Sequence, residues 1–237
     1  MTEAMHNSHL HIGGLVFPGI DQLDFTGPFE VLSRLPNSTF HVVWKEKIPV
    51  RDAGGLLLTP EETFAETPPL DLLLMPGGVG QMALMEDEAV LEFIRRQAAG
   101  ARIVFSVCTG ALVLGAAGLL QGVRSTTHWA SFHLLEYLGA IPVNERVVTD
   151  GKFVSAAGVS SGIDGALRVA TMLRGERVAQ QIQLHMQYAP EPPFDCGNPE
   201  RASAEVLASA RAFGKELARQ RLEQAKRVGA RLGVRPA

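Results

Sequence analysis

The chain has 237 residues, room for one large α/β domain or two small ones, and its 46% hydrophobic and 20% charged residues are those of a folded globular protein. A net charge of −3 gives no general attraction to nucleic acid, and no run approaches the ~18 apolar residues of a membrane-spanning helix. Cytoplasm is the default expectation; Cys108 and Cys196 make no disulfide framework and no Cys/His pair has zinc-finger spacing, so a reducing compartment keeps Cys108 available.

Residues 1–9 are polar and patternless, read as a flexible lead with no secretory signal. His11 to Phe17 then reads as a first strand, Pro28 to Leu35 as a helix, Thr39 to Trp44 as a strand and Leu56 to Thr59 as a short edge strand. Asp71 to Met75 is a buried strand stopped by Pro76-Gly77-Gly78, and Asp87 to Ala99 has helical spacing at Val90, Leu91, Phe93 and Ile94. Ile103 to Val107 is an apolar strand that runs through Cys108 into a helix of Ala and Leu from Ala111 to Leu120. A helix over Thr127 to Leu138 follows, capped by Thr126 or Thr127. Asp150-Gly151 then signals a hairpin between Arg146–Thr149 and Lys152–Ala156. Helices from Ser160 or Ser161 to Leu173 and from Arg177 to Tyr188 complete the body. Residues 189–199 are a Pro-rich crossing. The segment 203–233 is helical, with an apolar stripe of Val206, Ala210, Phe213 and Leu217 that slips to Leu222, Ala225, Val228 and Leu232. From 200 onward nine Lys/Arg face four Asp/Glu, leaving +5 on the tail and −8 on the rest, so the tail is expected to lie across its own body or a second subunit.

Strands alternating with helices imply a mostly parallel sheet covered on both faces, with ligands beyond the carboxyl ends of the strands. Three loops fall there: Asp21 to Pro28, Pro76 to Gly80 and Val107 to Gly110. Cys108 at a strand-to-helix turn has its sulfur at the rim of the sheet, where the following helix terminus favours a thiolate near neutral pH. Asp24 opens at the same edge. Beside a thiolate its protonation is favoured, which makes it a general acid, although it could equally fix its loop or cap the next helix. Gly77 and Gly78 can aim backbone N–H groups at developing negative charge, or form a plain tight turn. The Thr109 hydroxyl can satisfy a terminal N–H or bond a group beside Cys108. His128 and His133 read as a structural or partly exposed pair, His185 has no evident partner, Cys196 is incidental, and Trp44 and Trp129 are core or pocket-wall aromatics.

LDFTGP after the first strand, MPGG after a middle strand and SVCTGALVLGAAGLLQGVRSTTHW together resemble the ThiJ/PfpI superfamily. LGAIPVNERVV, GIDGAL and QLHMQYAPEPPF extend the likeness over roughly residues 9–199, toward its isonitrile-hydrating members. The resemblance implies a flavodoxin-like three-layer sandwich of glutamine-amidotransferase type over residues 10–199, with 200–237 as a basic helical extension. It implies a homodimer acting on a small isonitrile and water without cofactor, membrane or nucleic acid. By position, Cys108 matches the nucleophile and Asp24 the active-site acid. Thr109, Gly77, Gly78 and Val159 match the substrate pocket. Cofactor-free hydration of the isonitrile to a formamide, through a Cys108 thioimidate, is the implied reaction. A glyoxalase- or amidase-like activity on small carbonyl compounds and a non-catalytic cysteine redox sensor are the alternatives.

Overall fold

The computed structural model describes residues 8–235. Seven strands form its main sheet: β1 (Leu10–Leu15), β2 (Ser38–Trp44), β5 (Glu62–Thr63), β6 (Leu72–Met75), β7 (Ile103–Val107), β10 (Val147–Asp150) and β11 (Phe153–Ala156). Their order across the sheet is β10-β11-β7-β6-β1-β2-β5, all parallel except the antiparallel β10 edge. Every residue of β6 and β7 is buried, because a parallel strand covered on both faces must be apolar on both.

Helices α1 (Gln22–Leu32), α5 (Ser161–Arg174) and α6 (Glu176–His185) pack together on one side of the sheet. The short α2 (Gln81–Leu84), α3 (Glu88–Gly100) and α4 (Gly110–Ala116) pack together on the other. The result is the expected flavodoxin-like three-layer sandwich. Its order β2-β1-β6-β7-β11 reverses direction between β1 and β6, where an open α/β sheet leaves a crevice at the strand ends. Small residues bring the layers close: the Cβ that Gly162 lacks would sit 3.0 Å from Val107 and 3.3 Å from Pro28.

Several elements differ from the sequence reading. Helix α1 starts at Gln22, ahead of Pro28, because the Asp21 side chain caps it by accepting from Leu23 N (3.4 Å); the supposed loop from Asp21 to Pro28 is thus mostly helix. Leu57–Leu58 (β4) pairs with Val50–Arg51 (β3) in a separate ribbon, and β5 takes the edge of the main sheet. Helix α4 ends at Ala116, before the left-handed Gly118 (φ 81°). The segment after Thr127 is two 3-10 turns, Trp129–Leu134 and Glu136–Leu138, begun by His128, whose Nδ1 accepts from Ala130 N at 3.3 Å. Arg124–Ser125 (β8) and Ile141–Pro142 (β9), unforeseen, form a small parallel pair. The Asp150-Gly151 hairpin forms as expected, with Gly151 at φ 57°.

Of the lead, residues 1–7 lie outside the described residues. His9 is held by Asn37 Oδ1 and Thr39 Oγ1 (2.9 Å each), and Arg174 Nη2 donates to the Ser8 carbonyl at 2.6 Å.

The tail divides at Gly214 into α7 (Ala204–Phe213) and α8 (Lys215–Arg231). Helix α8 packs against the 3-10 turns and α4, burying Gln224, Ala225, Val228 and Gly229. Helix α7 buries nothing and Phe213 is 97% exposed, so Val206, Ala210 and Phe213 of the expected apolar stripe are not packed into this chain's core.

Candidate active site

The loops after β1, β6 and β7 meet at the switch point. An antiparallel bridge joins Ile20 to Gly78, Asp21 N donates to the Gly77 carbonyl (2.9 Å) and Gly80 N to the Gly19 carbonyl (2.9 Å), so the first two loops are zipped together. Gly78 has φ 122°, and a Cβ there would strike the Asp21 amide; only glycine fits.

Cys108 follows β7 with φ 54°, the left-handed region that costs a non-glycine residue about 1–2 kcal/mol. Two hydrogen bonds hold it there: its N–H donates to the Ala156 carbonyl (3.0 Å), and its carbonyl accepts from Thr127 Oγ1 (2.6 Å). Gly110 lets the turn close, since a Cβ there would overlap the Met75 carbonyl.

Asp24, fully buried on the first turn of α1, is on the same rim. Its Oδ2 accepts from Gly77 N at 3.0 Å, and Oδ1 is buried without a partner of hydrogen-bond geometry among the described residues. The carboxyl and the Cys108 thiol act on each other directly. Burial, followed by the repulsion of Asp21, pushes the Asp24 carboxyl up to about 7. Burial and the neighbouring Asp24 charge likewise push the Cys108 thiol well above its usual range, against the Thr109 N–H that favours its anion. Burial and the Asp24 charge thus oppose the thiolate that the helix terminus and the Thr109 N–H favour. Thiol and carboxyl are better treated as one pair that titrates jointly.

Thr109 is buried, and its hydroxyl accepts from Gly78 N (3.1 Å) and approaches the Gly78 carbonyl (3.3 Å) instead of capping α4. Val159 is half-buried in the turn between β11 and α5, on the same rim. The structure therefore gathers the Asp24, Gly77, Gly78, Cys108 and Thr109 positions through direct contacts, with Val159 on the adjoining turn.

Trp129 lines a cavity wall, one of the two places the sequence offers it, whereas three further residues carry no such reading: Thr127, His128 and Arg221. Thr127 was read only as a helix cap, yet it grips the Cys108 carbonyl. His128 and Trp129 line a cavity of about 650 Å³ with His133, Phe213, Leu217 and Arg221 from the tail. Arg221 reaches the rim itself, Nη2 lying 3.4 Å from the Gly78 carbonyl and Nη1 3.4 Å from Ser131 Oγ. The TTHW string so close after the cysteine marks the first two residues, whereas nothing distinguishes Arg221 among the tail cations. His185 lines a separate groove with Arg34, Pro36, Val178 and Ile182, and Cys196 is exposed. Among the described residues no group of three or more His, Cys, Asp or Glu is arranged to hold a metal, and no helix is long and apolar enough to cross a membrane.

A doubly wound sheet with a strained cysteine after a central strand and a buried carboxyl against it defines the class of cysteine-centred α/β proteins built at a switch point. The DJ-1/PfpI family pattern matches residues 12–172, and the chain belongs to that family. It is 52% identical over 226 residues to the isonitrile hydratase of Pseudomonas putida, covering 95% of this chain and 99% of that protein. A solved ThiJ/PfpI family protein from Pseudomonas syringae superposes with a TM-score of 0.89 at 34% identity, covering 97% of this chain and 96% of the other. Drosophila melanogaster DJ-1beta shares the fold at a TM-score of 0.68 and 20% identity, covering 77% of this chain and all of that one.

Proposed function

We propose that this chain is an isonitrile hydratase that converts R–N≡C and water to the formamide R–NH–CHO through a Cys108 thioimidate. The observation that carries the mechanism is the buried pair of Cys108 and Asp24, in which one carboxyl oxygen has no other partner. The near full-length likeness to an isonitrile hydratase supports the substrate class.

The isonitrile carbon accepts both a nucleophile and a proton, and the pair supplies both when it holds one proton in total. Transfer of that proton to Asp24 leaves sulfur as the nucleophile and the carboxyl as the acid, with no change in net charge. A C–S and a C–H bond form, giving R–N=CH–S–Cys108 and the Asp24 carboxylate. Water then adds across C=N, with OH on carbon and H on nitrogen. Collapse of this adduct breaks the C–S bond, releases R–NH–CHO and returns the hydroxyl proton to the pair. The Gly77 amide on Oδ2 steadies Asp24 through its change of charge.

The one-proton pair is populated from about neutral pH upward, because the first proton leaves near the Asp24 value and the second well above the ordinary thiol range. Thr109, Gly77, Gly78 and Val159 are assigned to the pocket wall. The uncovered α7, with Val206 and Phe213 exposed, supports assembly as a homodimer, and a reducing cytoplasm keeps Cys108 available.

The test is formamide production from aryl and cyclohexyl isonitriles by the purified protein and by Cys108→Ala. Turnover by the wild type alone supports the reading, and turnover by the alanine variant overturns the mechanism. Turnover of methylglyoxal in place of any isonitrile would assign the site to small carbonyl compounds. Loss of both activities, with peroxide adding two oxygens to Cys108, would assign it to redox sensing.

A further inference from the structure

Two charged groups of the body act on Cys108, Asp24 and Asp21, and both are acidic, whereas the Thr109 N–H alone favours its anion. Burial also opposes ionisation of the sulfur, and among the described residues no cationic side chain of the family-matched body is among the groups that act on it. The C-terminal extension carries one. Arg221 on α8 is turned inward, with Nε buried and without a hydrogen-bond partner, and its two terminal nitrogens make only long contacts of 3.4 Å to neutral oxygens, those of Gly78 and Ser131.

Its neighbours on the same helix differ. Arg219 is paired with Glu216 and Glu223 (2.6 Å each), and Arg227 with Glu86 (3.3 Å). Arg221 has no carboxylate partner among the described residues, although a desolvated guanidinium without a counter-charge is costly. The ionisable group of opposite sign that acts on it is Cys108, and burial otherwise drags the guanidinium below its usual range. His128, across the cavity, feels the Arg221 charge and is held toward its neutral form, chiefly by burial, so it does not compete as a cation.

We propose that Arg221 is a positioning residue for this site: its guanidinium clamps the Gly78 peptide and supplies the positive charge against which the Cys108 sulfur ionises. The inference rests on the hydratase reading for its consequence in turnover. Its physical core is independent of any substrate. It gives the extension a role, since the helix completes the electrostatics of a site whose other residues all come from the body. The clamp and the charge also act on one loop. Gly78 N–H is bonded to Thr109 Oγ1, one residue from the sulfur, so a displaced Gly78 peptide would move the nucleophile's immediate support.

The experiment reads the ionisation of Cys108 directly. In a Cys196→Ser background, which removes the exposed second thiol, the rate of iodoacetamide alkylation is followed against pH for wild type, Arg221→Gln and Arg221→Lys. Loss of a nearby charge moves a pKa by about one unit or more. The half-point is therefore expected to rise by about one pH unit or more in Arg221→Gln, with alkylation about tenfold slower at fixed neutral pH, and to stay within a few tenths of the parent in Arg221→Lys. Isonitrile kcat should fall with the thiolate fraction, KM changing less, and recover in the lysine variant. An unmoved half-point in a folded Arg221→Gln protein overturns the proposal, whether or not the wild type hydrates isonitriles. Should the glutamine variant fail to fold, Arg221→Met decides, since it keeps an unbranched apolar stem without the charge: a half-point raised by about one unit supports the proposal, and an unmoved one overturns it. Absence of wild-type turnover with the predicted shift present would instead overturn the hydratase reading and leave the electrostatic one standing.

Discussion

Asp24, Cys108 and Thr109 are each no more than 6% exposed, and all sit where chain segments leave the carboxyl edge of the sheet. Helix α7 has no buried residue, and α8 attaches through a short apolar patch and a few polar anchors such as Gln224 and Arg231. The rim is held by backbone: strand register, the Ile20–Gly78 bridge and the amide of Gly77. The extension is held by side chains. A rim built this way tolerates little change, and its energy is concentrated in strain and desolvation. An extension docked by side chains can be loosened by degrees. The two regions should therefore fail differently, the rim by losing chemistry outright and the tail by losing its hold on the rim.

Cys108→Ala is the severest test of that contrast. Turnover should drop by about three orders of magnitude or more, since no other group can form the C–S bond. The thermal midpoint should move by only a few degrees, because the hydrogen bonds to Ala156 and Thr127 are made by backbone atoms of residue 108.

Asp24→Asn comes next, with about a hundredfold loss of kcat expected from removing the acid and with disappearance of the rise in rate toward pH 7. Its stability effect has the opposite sign. The Asp24 value is raised from 3.8 to about 7, so the folded state holds a proton that the unfolded state has lost between those limits. Stability from this group is complete below 3.8 and is lost as pH climbs to about 7, which over roughly three units amounts to about 4 kcal/mol. Denaturant melts of both proteins at pH 4 and pH 8 should show the asparagine variant gaining on the wild type at the higher pH. An equal gap at both pH values would mean that the carboxyl is not buried as described.

Gly78→Ala is a milder lesion to chemistry and a larger one to the rim. A side chain at φ 122° that also meets the Asp21 amide should cost about 2–3 kcal/mol. Activity should fall about tenfold as Thr109 loses its anchor on the Gly78 amide, measured beside the melt.

The contrast also explains what could be read in the sequence. Strands such as LLLM and IVFSV declare themselves because parallel pairing under two helix layers demands unbroken apolar runs, and the Cys108 junction follows from the switch into Ala- and Leu-rich helix. Asp24 was placed on the right rim but in the wrong local structure, because the cap of Asp21 on Leu23 competes with the helix-start signal of Pro28 and wins. The 3-10 turns from Trp129 to Leu138 carry helical composition, so periodicity alone misses their tighter winding. The burial that opposes the Cys108 thiolate is illegible for a different reason: helix-terminus charge is visible in chain order, whereas desolvation depends on everything packed around the sulfur. Arg221 was illegible because residues 143 positions apart in sequence meet only in the fold.

The smallest expected effect belongs to the tail, and it checks whether side chains hold it. Gln224 is 3% exposed, and its Nε2 donates to the Met82 carbonyl (2.7 Å) and to Glu86 Oε2 (2.8 Å). Gln224→Ala removes both bonds and should cost about 1–2 kcal/mol, with faster amide exchange confined to α8 and its 3-10 neighbours. Turnover should fall no more than about threefold, because Arg221 is held less often over Gly78 and no reacting group is lost. The deficit should also depend on pH. The Gln224 N–H is the largest of the causes that hold the Glu86 carboxyl below its usual range. A lowered carboxylate contributes stability that is present above its unfolded value of 4.5 and is lost as pH falls through the folded one. The gap between wild type and Gln224→Ala should accordingly be wider at pH 7 than at pH 3. A gap independent of pH would place the contribution in the Met82 carbonyl alone, and exchange spreading into β6 and β7 would show the tail to be part of the rim's own cooperative unit.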